Sequence, residues 1–249
     1  MVTKVVINGV AGALPPTGAS ARAPALVAPP PAPVARASGR PSRARVQQIR
    51  ELIFAAAMAE FSERGFRGAT IASIAERSGV SRMTVYKHAE SKEQLLEKLS
   101  EFSSERLRMA IESAIDETLP CWEVLMAVGR CLYMEGKYAD SRVISRVLVI
   151  EAERLPDIVS RGLHLRERSL APLTDYLGRL ALQGTLRIDN PQHSSQQFLN
   201  LTTGSVDFLF GDSGMSEDEM QNYVAVAVKT FLYGVYLGRS NPLTTQPAS

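Results

Sequence analysis

From residue 45 onward, apolar side chains recur every three or four positions for most of the chain, the spacing that places them on one face of a helix. Val46, Ile49, Ile53, Ala57 and Phe61 form the first such stripe. Gly65 ends that helix and Phe66 follows as a packing residue. Thr70 is a suitable N-cap for a second helix, Ile71–Ser78. Gly79-Val80-Ser81 reads as a tight turn, with Ser81 capping a third helix, Arg82–Ala89. Ser91-Lys-Glu-Gln94 is a capping-box pattern that opens a fourth. Further periodicity predicts helices near 92–118, 122–137, 140–153, 157–183, 193–210 and 216–238, broken at Pro120, Pro156, Gly184 and Pro191. Ser216-Glu-Asp-Glu219 is another capping box. Strand-like alternation is nearly absent, so the predicted fold class is all-α.

The first 43 residues have no such period. They are rich in Ala, Pro, Gly and Arg, with runs such as Ala28-Pro-Pro-Pro-Ala-Pro33. Proline removes backbone donors and blocks helix, so the segment reads as a disordered, partly polyproline-like arm. The predicted organisation is an arm over 1–43, a three-helix domain over 44–91, a larger helical domain over 92–240, and a flexible tail over 241–249.

Charge sharpens this division. The 249-residue chain has a net charge of +2, too small for a globally basic nucleic-acid coat. Yet Met1–Arg50 contains seven Lys and Arg and no acid, which leaves a mildly acidic body behind a basic end. Met1–Pro33 reads as an inert tail; whether Arg40, Arg43 and Arg45 reach phosphate stays open on sequence alone. No apolar run reaches the roughly 18–20 residues needed to span a bilayer. The start, broken by Asn8, Gly9 and Gly12, reads as non-targeting. Cys121 and Cys131 fit no metal or redox spacing and read as reduced core cysteines of a cytoplasmic, nucleoid-associated protein. His88, His164 and His193 are scattered. With no G-x-S-x-G, P-loop or metal cluster, an enzyme is not expected, nor a cofactor or metal.

The stretch Thr70-Ile-Ala-Ser-Ile-Ala-Glu-Arg-Ser-Gly-Val-Ser-Arg-Met-Thr-Val-Tyr-Lys-His-Ala89 carries the chemistry. Two short helices joined by a glycine-containing three-residue turn form a helix-turn-helix. Ile71, Ile74 and Ala75 face inward from the first helix, Val80 plugs the corner, and Val85 and Ala89 form the buried face of the second. This leaves Met83, Thr84, Lys87 and His88 facing outward, flanked by Arg82 and Tyr86, for the major groove of double-stranded DNA. Thr70, Ser81 and Lys92, at helix N-termini, complete the predicted DNA-binding set, with Thr70 and Lys92 as phosphate clamps.

Arg50 through Leu96 resembles the DNA-binding domain of TetR-family regulators. The matching marks are Ile53, Ala56-Ala57, Phe61, Gly65-Phe66, Thr70, Ile74-Ala75, Gly79-Val80-Ser81, Thr84-Val85-Tyr86, His88 and Ser91-Lys92-Glu93 with Leu95-Leu96. The family usually has Phe-Pro where this chain has Ala89-Glu90, so the joint between the recognition helix and the fourth helix has lost bulk. The region from Val147 to Leu199 resembles one of the family's regulatory domains. The resemblance implies an Ω-shaped homodimer with a ligand cavity in each subunit.

From the residues themselves, the last two helices are the predicted dimer interface, through Phe198, Leu201, Tyr223, Ala227 and Phe231. The alternative is that these helices close the monomer's own core. Phe102, Met109, Trp122, Met126, Tyr133, Met134, Leu148, Leu177 and Phe208 are the candidate wall of an adaptable apolar pocket. His164, flanked by Arg161 and Arg166, reads first as a solvated basic helix face and second as an anion-orienting group. The expected function is a dimeric, DNA-binding regulator, a repressor of a palindromic operator, released by a small apolar or amphipathic effector. The alternative is a ligand-independent regulator or architectural protein, which a cavity-free C-terminal domain would favour.

Overall fold

The computed structural model describes residues 43–203 and 215–235. Among these lie ten helices: α1 (Arg43–Gly68), α2 (Ile71–Ser78), α3 (Arg82–His88), α4 (Lys92–Ala114), α5 (Cys121–Lys137), α6 (Ala139–Ile150), α7 (Pro156–Ser169), α8 (Ala171–Leu182), α9 (Pro191–Thr203) and α10 (Glu217–Val235). The all-α expectation holds. The expected arm and tail and the candidate wall residue Phe208 lie outside the described residues.

Element ends follow local chemistry. In α1 the helix is interrupted at Gly65, whose φ of 69° suits glycine, and the chain then turns Phe66 back onto Phe61, ring centroids 5.2 Å apart. The expected helix over 157–183 is two helices. Pro172 sits in the first turn of α8, where it lacks a donor and crowds the carbonyl four residues back, so α7 stops at Ser169. The fourth helix ends at Ala114, short of 118, where Asp116 accepts hydrogen bonds from the Thr118 amide and hydroxyl at 3.0 and 2.6 Å.

Two apolar cores result. The first gathers Ile53, Ala57, Phe61, Ile74, Val85, Leu95 and Leu96, and extends to Val143, Ile144 and Val147 of α6 and Ile158 of α7. The second joins Leu107 and Ile111 of α4 to α5, α8, α9 and α10. Helix α4 therefore runs through both. In the second core α5 approaches α9 and α10 closely at Gly129, where a β-carbon would come within 2.8 Å of Val224.

Two buried carboxylates brace the first core. Glu60 accepts a 2.9 Å hydrogen bond from Arg77 Nε, tying α1 to α2, and lies 3.5 Å from Arg64. Arg77 also reaches Glu63 through its terminal nitrogens. Arg77→Ala would leave Glu60 buried without its main donor, so a loss of about 1–3 kcal/mol is expected by thermal denaturation. An unchanged melting temperature would show that Arg64 alone suffices.

The second carboxylate, Glu151, follows α6 and is almost fully buried. Arg67 Nε donates to both its oxygens, at 2.9 and 3.2 Å, and Arg154 to one at 3.2 Å. Burial pushes this carboxyl's pKa up, but the hydrogen bond and charge of Arg67, with help from Arg154, outweigh it and hold it below the ordinary range. The contact ties the end of α1 to the end of α6.

Candidate nucleic-acid interface

The 70–89 segment is held by local side-chain caps and a glycine turn. Thr70 Oγ1 accepts from the Ser73 amide at 3.1 Å while Ser73 Oγ accepts from the Thr70 amide at 3.2 Å, a reciprocal cap on α2. Gly79 takes a φ of 68°, a left-handed conformation that closes α2 and turns the chain. Ser81 Oγ then accepts from the Thr84 amide at 3.1 Å and shares a 2.8 Å hydrogen bond with the Thr84 hydroxyl. Val85 is fully buried and fixes which side of α3 faces in.

The opposite face is open. Arg82, Met83, Tyr86 and Lys87 are exposed, Met83 to 67% and Tyr86 to 49%. An exposed methionine and tyrosine on a short helix, beside two cations, set apolar, hydrogen-bonding and charged groups side by side on one open face. Thr84 and His88 flank this face and are half-buried. Burial first, then the charges of Lys98 and Arg50, hold the His88 imidazole below its usual pKa. At neutral pH it is therefore a neutral hydrogen-bonding group, not a phosphate-pairing cation.

Lys92 requires a correction. Its ammonium does not face outward. It donates to the carbonyls of Phe66, Arg67 and Ala69 at 2.8, 3.2 and 3.3 Å and lies 4.8 Å from the centroid of the Phe66 ring. The open carbonyls at the end of α1 attract it, as a helix C-terminus attracts any nearby cation. The start of α4 keeps only its backbone donors for a phosphate, with Ser91 accepting from Gln94 at 3.1 Å.

Other sequence-derived sites are also redistributed. Phe198, Ala227 and Phe231 do not form an outer interface: all three are buried within the chain, Phe198 and Phe231 in the second core with their rings 5.1 Å apart. Leu201 and Tyr223 pack partly against the same core, Tyr223 beside Tyr133 at 5.8 Å. Both helices turn their large apolar side chains toward α5, so the outward face of α10 is instead Asn222, Val226, Lys229 and Tyr233. Of the candidate pocket wall, Trp122, Met126, Tyr133, Met134 and Leu177 do meet in the second core. Leu148 packs on the first, and Phe102 and Met109 are exposed, with Phe102 edge-on to Phe54. They lie on the outer side of α4 and do not join the wall.

A shallow cleft of about 190 Å³ lies between α4 and α7, lined by Glu97, Ser100, Ile158, Arg161, His164 and Leu165, among others. Arg161 bridges it to Glu97, and Arg168, not Arg166, is the second arginine beside it. Deeper along α4, Arg106 holds Glu135 at 2.8 Å and Asp140 at 2.6 Å, clasping the junction of α5 and α6. The Glu151–Arg67 link and this clasp escaped sequence reasoning, because each joins positions tens of residues apart that carry no local signal.

Among the described residues no helix is long and apolar enough to cross a membrane, and no group of acidic, His or Cys side chains is arranged to hold a metal ion. An exposed recognition helix set in a capped helix-turn-helix, on a long helix that enters a second helical core, defines a DNA-binding transcriptional regulator. Residues 53–99 match the model for bacterial regulatory proteins of the tetR family, and residues 123–235 match that for the C-terminal domain of AefR-like transcriptional repressors. The chain belongs to the TetR family of transcriptional regulators. It is 25% identical over 153 residues to the HTH-type transcriptional regulator YvkB of Bacillus subtilis (strain 168), covering 61% of this chain and 78% of that one. Its fold is shared with a TetR-family regulator from Mesorhizobium loti, at a TM-score of 0.68 and 22% identity over 78% of this chain and 99% of the other. It is shared also with the flavonoid-responsive regulator FrrA, at a TM-score of 0.63 and 23% identity over 77% and 98%.

Proposed function

We propose that this protein is a repressor that binds a palindromic operator as a homodimer and is released by a small apolar or amphipathic effector. The carrying observation is the outward face of α3, where Arg82, Met83, Tyr86 and Lys87 are presented together by a helix whose other side is fixed by Val85. A seven-residue recognition helix reads only a few base pairs, so useful affinity calls for two copies on symmetric half-sites. The outward face of α10, with exposed Val226 and Tyr233, supports the pairing of two protomers there. Thr70, Ser81, Thr84 and His88 complete the reading head, the first two through hydroxyls that also cap helices and Thr84 through a hydroxyl hydrogen-bonded to Ser81.

Effector response is supported by the path of α4. It carries part of both cores, so a ligand favouring one setting of the second core would shift the first. A second reading, a regulator that needs no effector, is favoured by the tight packing of α5 at Gly129. Selection of bound duplexes from a random pool tests the proposal. The expected product is an inverted repeat, from which apolar and amphipathic metabolites release the protein. An asymmetric or sequence-neutral pool would refute the operator claim; an inverted repeat that no metabolite disturbs would favour the second reading.

A further inference from the structure

Helix α3 is short and has one deep anchor. Seven residues with Val85 as the buried pivot can rock about that point unless both ends are held. The N-terminal end is held by the Ser81 cap and the Gly79 turn. At the C-terminal end Ala89 is buried but offers only a methyl group.

What holds that end comes from α4. The Lys98 ammonium donates to the His88 carbonyl, the last of α3, and the Glu90 amide donates to Gln94 Oε1 at 2.8 Å. A cation on the terminal carbonyls of a helix is favourable both as a hydrogen bond and against the helix dipole. Lys98 is half-buried and its neighbours Leu95, Leu96 and Leu99 are in the first core, so its stem is braced rather than free in solvent. Six residues earlier, Lys92 closes α1 in the same way. Thus α4 grips the C-terminal ends of both α1 and α3.

We propose that Lys98 is a positioning residue for sequence recognition: it sets the angle at which α3 presents Tyr86, Lys87 and His88, without itself touching DNA. The inference rests on the assignment of α3 as the recognition helix. The test uses the full chain as Lys98→Met and Lys98→Arg, titrated against the selected operator and an unrelated duplex between 50 and 200 mM salt. For Lys98→Met, operator affinity is expected to fall about tenfold, within the range that a partly buried cation at a helix C-terminus contributes. Affinity for the unrelated duplex and the salt dependence should stay as in the wild type, and Lys98→Arg should recover most of the loss. An equal loss on both duplexes, with the log–log salt slope shallower by about 0.9, would overturn the proposal and make Lys98 a phosphate contact. Unchanged operator affinity in a folded Lys98→Met would also overturn it. If that variant does not fold, Lys98→Arg carries the test: it must keep the wild-type ratio of operator to unrelated affinity, and a ratio unlike the wild type in a folded Lys98→Arg would overturn the claim. A wild-type protein that prefers no duplex would instead remove the recognition-helix assignment itself, a result separable from either failure.

Discussion

Lys87→Ala and Tyr86→Ala are each expected to weaken binding to the selected operator about 5- to 150-fold, the range for a base-reading or groove contact worth about 1–3 kcal/mol. Both side chains are exposed and neither supports the core, so their melting temperatures should stay within a degree or two of the wild type, as for ordinary surface substitutions. The two variants differ in kind. Lysine is a point charge, so its loss should also reduce the salt dependence of binding, by a log–log slope of about 0.9 if it neutralises one phosphate. Tyrosine carries no charge at neutral pH, so its loss should change affinity at all salt concentrations alike. Fluorescence anisotropy on a labelled operator separates these cases. If neither substitution changes affinity, α3 is not the recognition helix.

The second large effect separates the interior of α9 and α10 from their exterior. Phe198 is fully buried against Phe231. Phe198→Ala removes a ring from a packed core and is expected to cost about 3–5 kcal/mol. In a domain of this size that corresponds to a fall of roughly 6–20 °C in melting temperature. The fall should not depend on protein concentration, because the lost contacts lie within one protomer. Val226→Asp with Tyr233→Asp should behave oppositely. Both positions are more than half exposed, so a charge there costs the isolated protomer little. It should, however, separate protomers paired through α10, seen as halved mass in sedimentation. A Phe198→Ala protein that dissociates while keeping its melting temperature would restore that side chain to the interface.

The contrast between these positions shows what the sequence could express. Period and caps located the helix-turn-helix almost residue by residue, since Thr70, Gly79, Ser81 and Ser91 act on neighbours within four positions. The same periodicity marked Phe198 and Phe231 as members of an apolar stripe, but a stripe does not say which surface covers it; here it is α5 of the same chain. Phe102 and Met109 were misplaced for the converse reason, because α4 is long and carries apolar residues on more than one side. Lys92 and Lys98 were the least legible. Their partners are backbone carbonyls, which every residue has and no residue type announces. Pro172 is legible in the sequence, since proline inside a helical period is itself a break signal.

The first core is completed from outside the helix-turn-helix. Val143, Ile144 and Val147 of α6, with Ile158 of α7, cover the apolar side of α1 and α4, and Glu151 fastens the edge through Arg67. The head is thus not an interchangeable part. A chimera joined at residue 91 to a relative's C-terminal half would set this surface against foreign side chains and leave Arg67 facing whatever acid or apolar group the relative supplies. The smallest transplantable piece is the head together with the inward stripe of α6, and substitutions on the exposed face of α3 disturb neither core, whereas exchange of the whole domain disturbs the first.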